Sequence, residues 1–176
     1  MSSGLKSGVT WKEVAFRKIE ADPDLRTIER LSNEIWTDYY TPLVGSEQVD
    51  YMLRKYLSLE ALREQLKEGY EYYLLEETRK PIGYFAFQFR DGQELFLSKY
   101  YVEKSRRGKG YGRRAMNLLI ETARRHGARK IALTVNKGNR LALSVYERLG
   151  FRNVKALVTD IGGGFVMDDY RLEKGV

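Results

Sequence analysis

Glycines at 108, 110 and 112, set among arginines and lysines, stand where a β-rich stretch gives way to a long amphipathic segment. That junction constrains the chain more than any other feature. The segment reads Arg107-Gly108-Lys109-Gly110-Tyr111-Gly112. It follows a strand-like run ending at Val102. Ala115, Leu118, Leu119, Thr122 and Ala123 then recur at helical spacing from about Tyr111 to His126, with Gly127 just past the end. Glycines in this position let the backbone approach a ligand closely, while the first amides of the helix point outward and its dipole adds partial positive charge. The arrangement suits a pyrophosphate held mostly by main chain; a structural turn ahead of a helix is the plainer alternative.

The charge distribution agrees with a small anion. The chain carries 31 Lys and Arg against 24 Asp and Glu, a net charge of +7. Between Glu103 and Arg114 lie Lys104, Arg106, Arg107, Lys109, Arg113 and Arg114 with one acid, so +5 of the excess sits in one stretch. A nucleic-acid partner would call for a longer basic face, and none is expected. Cysteine is absent and His126 is the one histidine, which excludes disulfides, thiolate chemistry and multi-histidine metal centres. No Asp-x-Asp-x-Asp-Gly loop is present, so no metal is expected. The lack of cysteine fits a reducing, cytoplasmic setting. No apolar run approaches the roughly 18 residues of a membrane span, and no membrane partner is expected. Residues 1–12 are polar and read as a disordered lead, and 13–174 as a single domain.

Strand and helix patterns alternate along that domain. Glu13 to Glu20 reads as a strand. A helix follows with Asp22 as cap and Pro23 at its first position; Leu25, Ile28, Leu31 and Ile35 form its apolar face, and it is expected to stop near Tyr39–Tyr40, before Pro42. Ser46 starts a second helix (Val49, Met52, Leu53, Tyr56) and Ser58 a third (Leu59, Leu62, Leu66), closed by Gly69. Three strands succeed them, Tyr70 to Glu76, Ile82 to Phe89 and Leu95 to Val102, separated by Thr78-Arg79-Lys80 and by Asp91-Gly92. After the glycine segment and its helix come a strand over Lys130 to Val135, a helix capped by Asn139 and stopped at Gly150, and strands Phe151 to Val158 and Phe165 to Leu172 joined through Gly162-Gly163-Gly164. This is a mixed α+β sheet protein.

Three kinds of phosphate loop compete for the glycine segment. The nucleoside-triphosphate loop needs four residues between its first glycine and Gly-Lys-Ser/Thr, and no such string occurs. A dinucleotide fingerprint over Gly110-Tyr111-Gly112-Arg113-Arg114-Ala115 lacks its acid about 20 residues on, where Arg129-Lys130 stand. The third pattern, Arg/Gln-x-x-Gly-x-Gly/Ala, is met by Arg107, Gly110 and Gly112. Downstream, Asn139, Ala142 and Tyr146 share a helical face and are followed by Gly150-Phe151. With both blocks in this order, the chain resembles the GNAT N-acetyltransferases over Val14 to Leu172.

The resemblance implies an α+β domain whose mostly antiparallel, twisted sheet of about seven strands splays between the fourth and fifth and is flanked by helices. It implies acetyl-coenzyme A as cofactor, its pantetheine pairing with backbone at Tyr100 and Val102. The pyrophosphate then meets amides from Arg107 and Gly108 through Lys109, Gly110 and Tyr111 to Gly112. Lys109, Arg113 or Arg148 would add charge, surface decoration being the alternative for each. Asn139 and Ala142 lie along the cofactor, with Asn139 also the helix cap. Tyr146 is the expected proton donor to the leaving thiolate, a packed core aromatic being its alternative. The acetyl oxygen is expected to meet a backbone N–H near Lys99 or Tyr100. Glu94, directly or through water, is the expected general base, unless it is a solvated strand-end carboxylate.

On the acceptor side the resemblance points to the first helices and the last hairpin. Trp36, Tyr39 and Tyr40, with Tyr51 and Tyr56, face Asp160, Asp168 and Asp169 in this reading, a set that suits a cation. Trp36 to Gly69 and Leu97 to Val102 are similar to the PaiA-like polyamine acetyltransferase branch, although Lys99, expected in the cleft, would repel a polyamine. The implied function is acetyl transfer from acetyl-coenzyme A to a primary amine, on a small molecule or a protein, by direct attack in a ternary complex. A non-catalytic acyl-coenzyme A sensor and a nucleic-acid-binding module are the alternatives; the first leaves Tyr146 unexplained and the second makes no use of Asn139 or Tyr146. Homodimerisation is left open.

Overall fold

Strand-forming stretches rich in Tyr, Phe, Leu and Val assemble into a seven-stranded sheet in a computed structural model that describes residues 14–91 and 93–176. The polar lead 1–12, Glu13 and the Gly92 half of the expected Asp91-Gly92 turn lie outside the described residues. The strands are β1 (Val14–Lys18), β2 (Glu71–Glu77), β3 (Lys80–Arg90), β4 (Glu94–Val102), β5 (Lys130–Asn136), β6 (Arg152–Gly162) and β7 (Phe165–Gly175). Helices α1 (Asp22–Val44), α2 (Ser46–Tyr56) and α3 (Leu59–Lys67) follow β1; α4 (Tyr111–Arg125) joins β4 to β5, and α5 (Arg140–Arg148) joins β5 to β6. The strand order is β1-β2-β3-β4-β5-β7-β6, antiparallel except for β4 beside β5. A parallel pair needs a crossover, and α4 supplies it. The expected element order and mostly antiparallel sheet are both present.

Helix boundaries follow local chemistry, with corrections. Ser58 caps α3, its side chain accepting from the Ala61 amide at 3.3 Å, and Asn139 caps α5, accepting from Ala142 at 3.1 Å. Asp22 is the first residue of α1 and Ala21 its cap; Ser46 begins α2 behind Gly45. The expected stop before Pro42 does not occur. A proline in the last turn forfeits only one hydrogen bond near an end that is already short of partners, and the Gly45 amide closes the helix on the Thr41 carbonyl at 2.9 Å. Thr78 and Arg79 alone turn β2 into β3, both with positive φ (51° and 64°), so Lys80 belongs to the strand.

Two faces of the sheet carry two cores. On one, Leu25, Ile28, Leu31 and Trp36 of α1, Val49 and Met52 of α2 and Leu62 of α3 pack against Tyr72, Leu74, Tyr84 and Ala86. On the other, Ala115, Met116 and Leu119 of α4 and Leu143 and Tyr146 of α5 pack against Phe85, Phe87, Leu95, Leu97, Leu133 and Leu172. No helix among the described residues is long and apolar enough to cross a membrane.

One bulge sets the geometry of the middle of the sheet. Ala86 pairs with Lys99 while Phe87 pairs with Leu97, leaving Ser98 as an extra residue in β4. An inserted residue bends a strand and reverses its alternation beyond that point. Leu95 and Leu97 accordingly face α4, and beyond the bulge Tyr101 faces α1 while Tyr100 faces α4.

Gly83 on β3 secures this bent half of β4. A Cβ there would lie 2.4 Å from the Tyr101 carbonyl oxygen and 3.0 Å from the Val102 Cα, both backbone atoms that cannot yield cheaply. Gly83→Ala is expected to destabilise the protein by about 2 kcal/mol, within the range of overpacked cores, read as a lower urea midpoint at unchanged m value.

Candidate active site

β4 and β5 are held together over three residue pairs, Glu94 with Lys130, Leu95 with Ile131 and Phe96 with Ala132. The bulge at Ser98 falls just beyond the last pair. From there β4 keeps only β3, and β5 keeps β7 along its whole length. The strands diverge, and each presents an unpaired backbone edge to the gap between them, which is the form a strand-like ligand can join.

The glycine segment lies at the mouth of this gap. Gly110 caps α4 in the left-handed conformation (φ 81°), which an L side chain adopts only at a cost, so the turn delivers the α4 amides outward with glycine in the role its geometry requires. Gly112 is adjacent to Tyr100, whose hydroxyl would be 3.6 Å from a Cβ added there. The loop cations divide into two groups. Arg106 pairs with Glu77 at 2.6 Å, Lys109 approaches the same carboxylate at 3.8 Å, and Tyr111 donates its hydroxyl to it. Glu77, at the end of β2, is 5% exposed and ties the loop to the sheet; it lies about 30 residues upstream of the loop, and no local signal marked it. Arg107 also turns inward, donating to the Val102 carbonyl at 3.0 Å and covering the Tyr39 ring at 4.9 Å. Arg113 and Arg114, in the first turn of α4, are exposed and have no ion pair among the described residues. Arg148 is likewise exposed, in the last turn of α5.

Phenols converge at the gap from three elements. Tyr39 donates to Asn139 Oδ1, so the side chain that caps α5 also fastens α1 across the site. Tyr40 and Tyr101 hydroxyls are 3.3 Å apart. Tyr146 projects from α5 on the face that carries Asn139 and Ala142, its ring edge-on to Phe151 at 5.4 Å. Burial raises the Tyr146 hydroxyl far above an ordinary phenol, and the neighbouring Tyr100, Tyr40 and Tyr39 push it further. Tyr100 is raised the same way, by burial. Neither hydroxyl has a hydrogen-bond partner among the described residues, so both remain neutral donors across the physiological range.

Four expected assignments change. Glu94 sits at the closed end of the ladder, its carboxylate held by Arg171 at 2.5 Å and Lys130 at 3.4 Å. Tyr100 is six residues further along the strand, beyond the bulge, so Glu94 stands at the opposite end of β4 from the open gap with its carboxylate already paired. Lys99 is not in the cleft: the bulge turns it to the α3 face, where its ammonium meets Gln65 Oε1 at 2.8 Å and Ser98 Oγ at 3.1 Å and lies 5.4 Å from the rings of Tyr70 and Tyr72. Trp36 is 5% exposed and packs behind Tyr40 and Tyr101 at ring separations of 4.8 and 5.3 Å, a support rather than a contact surface. Asp168 is exposed and paired with Lys137, on the α5 side of β7; its neighbour Asp169 is buried on the α1 side.

Comparisons with known proteins match this architecture. The sequence profile of the Acetyltransferase (GNAT) family matches residues 28–151. Over 67 residues the chain is 34% identical to the uncharacterised N-acetyltransferase YycN of Bacillus subtilis, a match spanning 38% of this chain and 43% of that protein, less than half of its length. The fold superposes on the PaiA N-acetyltransferase of Thermoplasma acidophilum, solved in complex with coenzyme A, with a TM-score of 0.76 at 21% identity, covering 93% of this chain and 99% of that one. The spermidine N-acetyltransferase of Vibrio cholerae, solved with coenzyme A and spermine, gives a TM-score of 0.65 at 21% identity, covering 92% of this chain and 95% of that one. At these identities the structural likeness is one of fold.

Lys99 gives a pH signature. Burial lowers its ammonium to about 7, against an ordinary lysine near 10.5. Between those values the unfolded chain binds a proton that the folded chain does not, so stability rises with pH from about 7 towards 10, approaching about 1.4 kcal/mol per pH unit from this group alone. Lys99→Met is expected to flatten that rise, measured by urea denaturation at pH 7.0 and 9.5.

Proposed function

The chain belongs to the GNAT acetyltransferase family, and from that premise we propose that it is an N-acetyltransferase that moves an acetyl group from acetyl-coenzyme A to a primary amine. The observation that carries this reading is the three-pair β4–β5 ladder opening at Ser98 onto the α4 amides on one side and the Tyr146 hydroxyl on the other. Acetyl-coenzyme A supplies an activated thioester, and the residues around the gap fit it in kind. Amides over 107–112 and the α4 dipole suit a pyrophosphate, with Arg113, Arg114 and Arg148 available to its charges. The unpaired edge of β4 at Tyr100 and Val102 suits the amides of a pantetheine arm. Asn139 and Ala142 border the same path from α5.

Tyr146 acts on the leaving group. A thiol ionises near 8.5 and an ordinary phenol near 10; with burial raising Tyr146 further, it stays protonated and donates to sulfur as negative charge develops there, which lowers the barrier in proportion to how dry the site is. The acceptor is an amine on a small cation or on a protein, and both structural neighbours cited above are named for N-acetyl transfer, one of them to spermidine.

The test is a calorimetric titration with acetyl-coenzyme A followed by thiol release against spermidine, lysine peptides and aminoglycosides. Micromolar binding with amine-dependent release supports the transferase. Binding with no release from any amine favours the sensor, and no binding overturns the reading. Tyr146→Phe is expected to lower kcat about 100-fold, in the range for loss of a positioned proton donor, while leaving the acetyl-coenzyme A Kd within threefold.

A further inference from the structure

The acceptor side of the gap contains one carboxylate that no structural interaction uses. Asp169 is 6% exposed and has no hydrogen bond or ion pair among the described residues. Other buried acids in the molecule are engaged: Glu77 by Arg106 and Tyr111, and Glu94 by Arg171 and Lys130. A buried carboxylate left without a partner is costly, and it accounts for itself when a cation arrives from outside.

Its position fixes which cation. Asp169 pairs with Asn136, the last residue of β5, and so stands on β7, one strand behind the β5 lip and level with the open end of the gap, just before the turn to Asn139. Along β7, Phe165 and Met167 belong to the core under α1 and α2, and Asp169 continues that face, whereas Asp168 and Tyr170 alternate to the other. Tyr40 of α1 is close enough for the charge of Asp169 to raise its phenol, which burial and these neighbours push to about 12. The Tyr40 hydroxyl meets Tyr101 on the β4 lip at 3.3 Å. A line from β7 through α1 to β4 therefore crosses the gap on the face opposite α4 and α5, carrying a carboxylate and two phenols. The charged and titratable groups bearing on Asp169 are Tyr40 from α1, Asp168 beside it, and Lys137 from the turn after β5, which Asp168 itself holds.

We infer that Asp169 receives the ammonium group of the acceptor and takes the proton that the amine nitrogen sheds as it attacks. This rests on the transferase reading and deepens it. The bound ammonium first gives one proton to solvent, which frees the lone pair; as the nitrogen–carbon bond then forms and the carbon–sulfur bond breaks, the second proton leaving nitrogen passes to Asp169, and the departing sulfur takes the Tyr146 proton. Solvent then returns Asp169 to carboxylate and Tyr146 to phenol, so the sum from ammonium and thioester is an amide, a thiol and one proton released to solvent. Burial, and next the charge of Asp168, raise the Asp169 carboxyl from 3.8 to about 6; it is ionised at neutral pH yet more basic than a surface aspartate, as a proton acceptor should be.

The experiment is the pH dependence of kcat/KM for an amine that the wild type acetylates, between pH 5 and 9. Below about 6 Asp169 holds a proton and can neither pair with an ammonium nor accept from it, so the wild-type profile is expected to rise through about pH 6. Asp169→Asn is expected to lower kcat/KM at pH 7.5 about 100-fold or more and to abolish that rising limb, with acetyl-coenzyme A affinity within threefold by calorimetry; Asp169→Glu is expected to restore part of the rate and the limb. A wild-type profile flat across pH 6, or an Asn variant that keeps the limb whether or not its rate falls, overturns the inference while the transferase stands. Thiol release that no amine stimulates in the wild type overturns the transferase reading itself, and this role with it.

Discussion

Three residue pairs join the two halves of the sheet, and the extra residue at Ser98 prevents a fourth. Everything at the site depends on that limit. If β4 ran straight, its parallel ladder with β5 would continue towards Val102, every amide on both lips would be satisfied, and no backbone would remain to bind a ligand. The bend leaves two strand edges inside the protein rather than on its rim. An open edge on the surface invites pairing with another chain; here helices lie on both faces of the sheet. The close passage of β4 over Gly83, with the carbonyl of Tyr101 against its Cα, is the other half of the same device.

The concentration of positive charge around the glycines works differently from a simple attractive field. Glu77 draws Arg106 and Lys109 back to the sheet, and Arg107 is spent on the Val102 carbonyl and the Tyr39 ring. These three cations shape the loop. The groups left free to meet an anion, as the proposed function requires, are main-chain amides, whose direction the fold fixes, and Arg113 and Arg114, whose long side chains can adapt. Tyr39 links the two recognition elements: its ring lies under Arg107 and its hydroxyl on Asn139, so α1, the glycine loop and the start of α5 are mechanically one unit.

Much of this was legible in the sequence. Glycines after α3, α4 and α5, the caps Ser58 and Asn139, and the shift from helical to alternating apolar spacing gave the element order. The spacing of Arg107, Gly110 and Gly112 against Asn139, Ala142 and Tyr146 gave the resemblance and the position of the gap. What failed were side-chain directions. Alternation along Leu95, Leu97 and Lys99 places Lys99 with the two leucines, but the bulge reverses the pattern and sends it to α3 with Tyr101. No residue type announces a bulge of this kind, since Ser98 is ordinary in a strand. Asp168 and Asp169 are grouped by the sequence for the same reason, because adjacent strand residues differ only in face, and the structure places them on opposite sides of β7. The pairing of Glu94 is hidden in the sequence because its partners, Lys130 and Arg171, are distant in sequence and near only through the sheet.

A common electrostatic logic unites the groups that line the gap. Tyr39, Tyr40, Tyr100, Tyr101 and Tyr146 are all shifted upward, with burial as the leading cause. Phenols that never ionise add dipoles without adding charge, and in a dry site a dipole already aimed at a developing charge needs no reorganisation. The two charges that amide formation creates are a cation on nitrogen and an anion on sulfur. In the proposed reaction Asp169, on the β7 side, answers the first, and the Tyr146 hydroxyl, on the α5 side and kept protonated by burial, answers the second. Placing them on opposite faces of the split keeps them from neutralising each other: an aspartate beside Tyr146 would accept its hydrogen bond and blunt both. The two faces of the sheet at the open end of the gap thus keep the carboxylate on the α1 side apart from the phenol on the α5 side.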